Sequence, residues 1–156
     1  MECRTPTSSA PAGTLTARGS RTCARWYSAL TWRDWAGFDP VRVRRRFLDG
    51  FCPELTQIIE VDGRSAGSIT VRPESDSVWI EHLYLEPAFH GQGLGGGVLH
   101  EVMATYVDHR PFRLNVLQGS AARRLYERHG FAVESEDPVD VFMAARVGKV
   151  SPSIAE

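Results

Sequence analysis

The chain has 156 residues, 42% of them hydrophobic and 24% charged, which suits one globular domain with a real core and gives no reason to expect disorder throughout. A formal net charge of −1 argues against a nucleic-acid partner, which draws on a clear excess of basic side chains. The three cysteines, Cys3, Cys23 and Cys52, form neither a CxxC pair nor a disulfide framework, and no histidine spacing completes a metal site with them. A reducing, cytoplasmic setting without a metal is therefore expected. No segment approaches the roughly 18 apolar residues of a membrane span, and the N-terminus lacks the apolar stretch of a signal peptide, so no membrane partner is expected.

Residues 1–20 are rich in Thr, Ser, Ala, Pro and Gly and read as a flexible tail, in which only residues 14–17 offer a weak strand. Residues 22–35 carry Trp26, Tyr27, Leu30 and Trp35 at helical spacing. A second helix is signalled by Asp39 as its cap, Pro40 at its first position and Gly50 after its end. Residues 57–61 and 65–71 form a hairpin on Asp62 and Gly63, and residues 73–76 make the next turn. Residues 79–85 are a strand, and residues 94 to about 108 a helix. After Pro111, residues 112–117 are again a strand. Ser120 caps a helix that runs to His129 and stops at Gly130; Ala122, Leu125, Tyr126 and His129 share its buried face, while Arg123, Arg124, Glu127 and Arg128 lie away from it. Residues 131–135 and 139–145 close the chain as a hairpin around Glu136, Asp137 and Pro138. The organisation expected is a tail over 1–20, one domain over 21–147 and a loose tail over 148–156. A single crossover helix between the strands at Trp79 and Phe112 makes those two strands parallel.

The densest chemical signal lies where the strand of residues 79–85 meets the following helix. Gly91, Gly93, Gly95, Gly96 and Gly97 leave the backbone bare there, so that consecutive N–H groups and the positive end of the helix dipole can receive a phosphate or pyrophosphate. Gly91, Gly93 and Gly96 also satisfy the dinucleotide pattern GxGxxG, but only about 60 residues follow, too few for the further parallel strands of such a domain. A purely structural glycine turn stays open as a third reading.

Leu83, Tyr84, Leu85, Glu86, Pro87 followed by His90, Gly91, Gln92, Gly93, Leu94, Gly95, Gly96 resembles the acetyl-CoA motif of the GNAT superfamily of N-acetyltransferases, with His90 where that family usually has Gln or Arg. Downstream, the run from Ser120 through Ala122, Leu125 and Tyr126 to Gly130 and Phe131 resembles the family's Asn-x-Ala-x-x-Leu-Tyr-x-x-x-Gly-Phe, and the likeness covers residues 40–146. The resemblance implies an α/β (α+β) fold: a single layered domain with a mixed, mostly antiparallel sheet flanked by helices, its first strand normally preceding the first helix. It implies acetyl-CoA as co-substrate, a primary amine of a small molecule or peptide as acceptor, and direct attack without a covalent enzyme intermediate. Dimers are frequent among similar proteins, and the oligomeric state stays open. The CoA contacts implied are Leu83, Tyr84, Leu85, His90, Gly91, Gln92, Gly93, Leu94, Gly95, Gly96, Ser120 and Tyr126.

Three roles follow for the chemistry. The resemblance implies that a backbone N–H near Leu85 faces the thioester oxygen and that Tyr126 is the general acid toward the departing thiolate. For the general base Glu81, His82 and solvent remain open, with strand alternation putting Glu81 on the face of Leu83 and Leu85 and His82 on the other. Glu134, Glu136, Asp137 and Asp140 form an acidic cluster that favours a cationic amine, whereas Arg42, Arg44, Arg45 and Arg46 pull toward an anionic one. The rival function from another class is a catalytically inactive CoA-binding sensor or partner-binding module.

Overall fold

The computed structural model describes residues 14–16, 41, 45, 49, 52–106 and 108–146. Among the described residues seven strands form one sheet: β1 Thr14–Thr16, β2 Thr56–Val61, β3 Arg64–Pro73, β4 Val78–Leu85, β5 Phe112–Leu117, β6 Ala132–Glu136 and β7 Asp140–Ala145. Their order across the sheet is β1-β2-β3-β4-β5-β7-β6, and every neighbouring pair is antiparallel except β4 with β5. Helix α1, Leu94–Thr105, crosses from β4 to β5, and helix α2, Ala122–Arg128, follows β5. The mixed, mostly antiparallel sheet and the one parallel crossover are as expected.

Local chemistry accounts for the elements. Asp62 and Gly63 both take positive φ, 50° and 74°, the backbone a two-residue hairpin turn needs to match strand twist. Alternation in β5 buries Phe112, Leu114 and Val116. These join Ile59, Ile69, Val71, Ile80, Val141 and Met143 on one face of the sheet, and that face meets Val98, Leu99 and Val102 of α1 and Tyr126 of α2. Burial of that face is what holds both helices beside the ends of β4 and β5.

On the opposite face Thr56 and Thr70 are buried side by side. The Thr56 hydroxyl donates to the Cys52 carbonyl at 2.7 Å, so its only hydrogen is taken, and the 2.8 Å bond between the two threonines is donated by Thr70. Thr70→Val keeps the shape and loses that donor. It is expected to lower stability by about 1 kcal/mol, read as a lower urea midpoint at unchanged slope; an unchanged midpoint would show the bond contributes nothing net.

Several boundaries differ from expectation. Thr14–Thr16, within the expected tail, is the edge strand and pairs antiparallel with β2 through Leu15 opposite Ile59. The expected helix over 22–35, most of that over 39–50 and the tail over 148–156 lie outside the described residues. Val41, Arg45 and Asp49 are helical and exposed. Helix α1 stops at Thr105 rather than near 108, because Tyr106 leaves helical geometry at φ −106°, ψ 74°. Beyond it Asp108 accepts from the Arg110 side chain and backbone N–H, contacts that hold its carboxyl down to about 2, while Arg110 also donates to the Glu74 carbonyl. The loop into β5 is thereby tied to the turn between β3 and β4.

Candidate active site

Strand β4 carries a bulge that organises the site. Thr70 of β3 faces Glu81, yet Ser68 faces Tyr84, so one β3 residue stands opposite two on β4. His82 absorbs the extra residue at φ 51°, a left-handed conformation that costs a side chain with a Cβ but is tolerated by His more often than by most residues. Expected strand alternation is overturned at this point. Before the bulge Glu81 shares a face with Thr70; after it Leu83 and Leu85 pack on the helix side with the core, and Tyr84 returns to the face of Glu81. Glu81 therefore lies across the sheet from Leu83 and Leu85, and His82 has a backbone role in the bend.

Pairing between β4 and β5 ends shortly before the bulge. Only Val78 with Phe112 and Trp79 with Arg113 are in register, after which the parallel strands part and leave a fork bounded by residues 80–85 on one side and 114–117 on the other. The Glu86 N–H donates to the Ala66 carbonyl of β3 at 2.8 Å. A trans peptide points its C=O opposite to its N–H, so the Leu85 carbonyl, and with it the Leu85 N–H of the same extended residue, is directed into the fork.

The glycine loop closes the wide end of the fork. After a single turn of 3-10 helix at Pro87–Phe89, Gly91 and Gly93 take φ of 71° and 77°, and α1 begins at Leu94. Only glycine adopts φ 77° at the cap without strain. The first bond of the helix runs from the Gly97 N–H to the Gly93 carbonyl at 3.0 Å, and no side chain caps the end, so the N–H groups of Leu94, Gly95 and Gly96 have no acceptor within the helix. His90 does not extend toward this end. Its Nε2 lies 2.9 Å from the Leu85 carbonyl, while the Gln92 side chain donates to the Ala88 carbonyl at 2.8 Å.

Helix α2 brings the second motif to the first. A Cβ on Gly95 would stand 3.3 Å from both Leu125 and Leu85, and one on Gly96 would stand 3.2 Å from the His129 ring, which is held by its own contact with the Leu125 carbonyl at 2.8 Å. These two glycines thus let α2 close onto α1 and the end of β4. Ser120 accepts the Ala122 N–H at 3.2 Å, as a cap does, although regular helical bonding starts two residues later. Gly130, at φ 86°, ends the helix as expected, with its N–H on the Glu127 carbonyl and that of Phe131 on the Tyr126 carbonyl. The packing partners Leu125 and His129 were missed as such in the sequence, where their spacing marks only a buried face.

Two ionisable groups flank the fork from opposite faces of the sheet. Tyr126 is 7% exposed, its ring edge-on to Phe131 at 5.9 Å between centroids, and burial pushes its phenol up to about 12. Its hydroxyl has no hydrogen bond to a described residue. Glu81 is half-buried, and desolvation raises its carboxyl against the opposing pull of Arg72, whose Nη2 donates to Oε1 at 2.7 Å; Glu74 adds a further upward push. Arg72 is a partner that pattern reading did not find, since it comes from the neighbouring strand.

The expected acidic rim is largely engaged within the final hairpin. Asp137 accepts the Val139 and Asp140 N–H groups at 2.7 Å each; Asp140 is buried beside the Asn115 amide, and Glu134 lies 3.5 Å from Arg113.

Residues 53–133 match the family of the acetyltransferase (GNAT) domain, and the chain belongs to that family. Uncharacterized N-acetyltransferases of Mycobacterium bovis and Mycobacterium tuberculosis are 36% identical to it over 76 residues, 46% of this chain and 49% of theirs. The chain spans about half the length of the curated relatives it matches. Among solved structures, the PaiA N-acetyltransferase of Thermoplasma acidophilum, in complex with coenzyme A, superposes with a TM-score of 0.69 at 18% identity, covering 86% of this chain and 98% of that one. The ribosomal-protein-S18-alanine N-acetyltransferase of Escherichia coli gives 0.63 at 16% identity, covering 92% and 99%. At these identities the shared property is the fold.

Proposed function

We propose that the protein is an acetyl-CoA-dependent N-acetyltransferase that acetylates a primary amine of a small molecule or peptide by direct attack. The observation that carries this is the fork between β4 and β5, lined at its wide end by the outward Leu85 N–H and closed by a helix start with three unused N–H groups. A pyrophosphate suits that helix start, and an extended amide-bearing arm suits the open strand edge that leads to it. The fold's likeness to an N-acetyltransferase solved with coenzyme A supports the same occupant. The catalytic domain is assigned to the sheet and its two helices, from β1 at Thr14 to β7 at Ala145, and the setting to the cytoplasm. No helix among the described residues is long and apolar enough to cross a membrane.

In this reading the Leu85 N–H faces the thioester oxygen and stabilises charge that grows there, a contribution of about 2 to 4 kcal/mol for one such donor. Glu81, directly or through water, takes a proton from the amine on one face of the sheet. Tyr126, on the other face, supplies a proton to the sulfur that departs. A phenol held near 12 is a weak donor to a solvated thiolate, but the same lack of water raises the pKa of a thiol leaving inside the fork, which brings donor and acceptor closer together. Placing base and acid on opposite faces matches a carbonyl approached from one side and relieved of its leaving group on the other.

Release of free thiol from acetyl-CoA over a panel of amines tests the assignment; CoA binding without thiol release on any amine would leave only a CoA-binding module. Glu81→Gln is expected to lower kcat/KM about a hundredfold, within the range of a positioned base. Because burial raises the Glu81 carboxyl and the base works when deprotonated, wild-type kcat/KM should rise with pH through a point above the ordinary glutamate value, and this acid limb should vanish in Glu81→Gln. An unaltered limb in the variant would transfer the role to water or another group.

A further inference from the structure

We propose that His90 is a positioning residue, an imidazole latch that fixes the Leu85–Glu86 peptide at the mouth of the fork, and that it is not a phosphate ligand; this rests on the CoA-site reading above. The peptide is held at both ends. Its N–H is bound to the Ala66 carbonyl at 2.8 Å, and its C=O, which points into the fork, lies 2.9 Å from His90 Nε2. A carbonyl only accepts, so Nε2 carries the hydrogen and the neutral ring is the Nε2–H tautomer. The loop is built to present that ring: the His90 N–H bonds the Pro87 carbonyl at 3.1 Å, and Gln92 braces the same turn through Ala88.

The electrostatic consequence lies at the reacting end. The Leu85 carbonyl and the Leu85 N–H emerge on the same side of the strand. An unpaired carbonyl dipole there would oppose the negative charge that the neighbouring N–H is placed to stabilise, and it would leave the peptide held only by its bond to Ala66. A hydrogen on Nε2 neutralises the first effect and removes the second. Both act when charge develops on the thioester oxygen, so His90 should influence turnover more than ground-state CoA binding.

The test uses the full chain, with CoA as the calorimetric probe and acetyl-CoA with an amine identified by the panel for turnover. His90→Ala should lower kcat about tenfold while CoA Kd stays within about threefold, and His90→Gln, whose amide can still donate, should recover most of the loss. Nitrogen-15 NMR of the free protein should show His90 as the Nε2–H tautomer. Unchanged kcat in His90→Ala, an Nδ1–H tautomer, or a tenfold weaker CoA Kd at unchanged saturated turnover would each overturn the latch, the last making His90 a phosphate contact. Wild-type protein that fails to bind CoA would instead remove the site reading itself, and the latch with it.

Discussion

Tyr126→Phe is expected to cut kcat about a hundredfold while leaving CoA affinity unchanged, because a positioned acid contributes only as thiolate charge appears. The variant should fold well. Phenylalanine keeps the edge-on contact with Phe131, and the lost hydroxyl has no hydrogen bond to a described residue. A second readout comes from alkaline unfolding. Burial raises the folded-state phenol to about 12 from the ordinary tyrosine value of about 10, so the folded protein holds this proton more tightly than the unfolded chain. The associated stability is fully present below pH 10 and is lost as pH rises toward 12; it amounts to about 2 to 3 kcal/mol. Tyr126→Phe should lack that alkaline loss. Normal turnover in the variant would make Tyr126 a packing aromatic and assign the proton to water.

Gly95→Asp should abolish measurable CoA binding, and for two reasons. The new carboxylate lies beside the proposed pyrophosphate, and its Cβ must fit 3.3 Å from Leu125 and Leu85, so the fold is strained as well, by about 1 to 3 kcal/mol of overpacking. An intact fold is not expected, since Gly95 is buried. Gly97→Glu separates the effects. Its Cβ enters open space, helix propensity improves by about 0.5 to 1 kcal/mol, and a negative charge in the first turn suits the helix dipole. That variant should be at least as stable as wild type yet bind CoA several-fold more weakly at low salt, with the difference shrinking as salt screens it. Wild-type affinity in both variants would mean that the loop does not hold the pyrophosphate.

What was legible in the sequence was whatever a residue type dictates on its own. Asp62 and Gly63 announce their turn by tolerating positive φ, Gly130 ends its helix, and the alternation of Phe112, Leu114 and Val116 marks β5 to the residue. The crossover also followed from the order of the elements, and the two motifs were recognised through their resemblance to the family. The bulge was legible only as a slip of phase: the apolar positions Val78 and Ile80 resume at Leu83 and Leu85 across the adjacent polar pair Glu81 and His82, and His82 is one of the few residue types that visit the left-handed region. Strict alternation through that pair places Glu81 on the wrong face. His90 was likewise readable as a candidate donor but not for its target, since the nearest acceptor is fixed by how the chain turns back at Pro87. The Arg72 partner of Glu81 and the tight seat of Gly95 against Leu125 depend on neighbouring elements, which pattern within one segment cannot report. The first strand was discounted for its composition; three residues with no strong signature are enough when β2 offers an unpaired edge.

The order in which the strands are made has a consequence for assembly. β5 touches β4 through two residue pairs but pairs with β7 along all six of its residues, and among the described residues β7 is the last strand to be made. During synthesis the far wall of the fork therefore has little to hold it until β7 slides in between β5 and β6. That insertion is a non-local step, paid in loop closure before its hydrogen bonds form, so it belongs among the slow events of folding. A nascent chain short of β7 presents the apolar edge of β5 to its surroundings, a strand with Phe112, Leu114 and Val116 and an open ladder, and it is this intermediate that calls for chaperone cover.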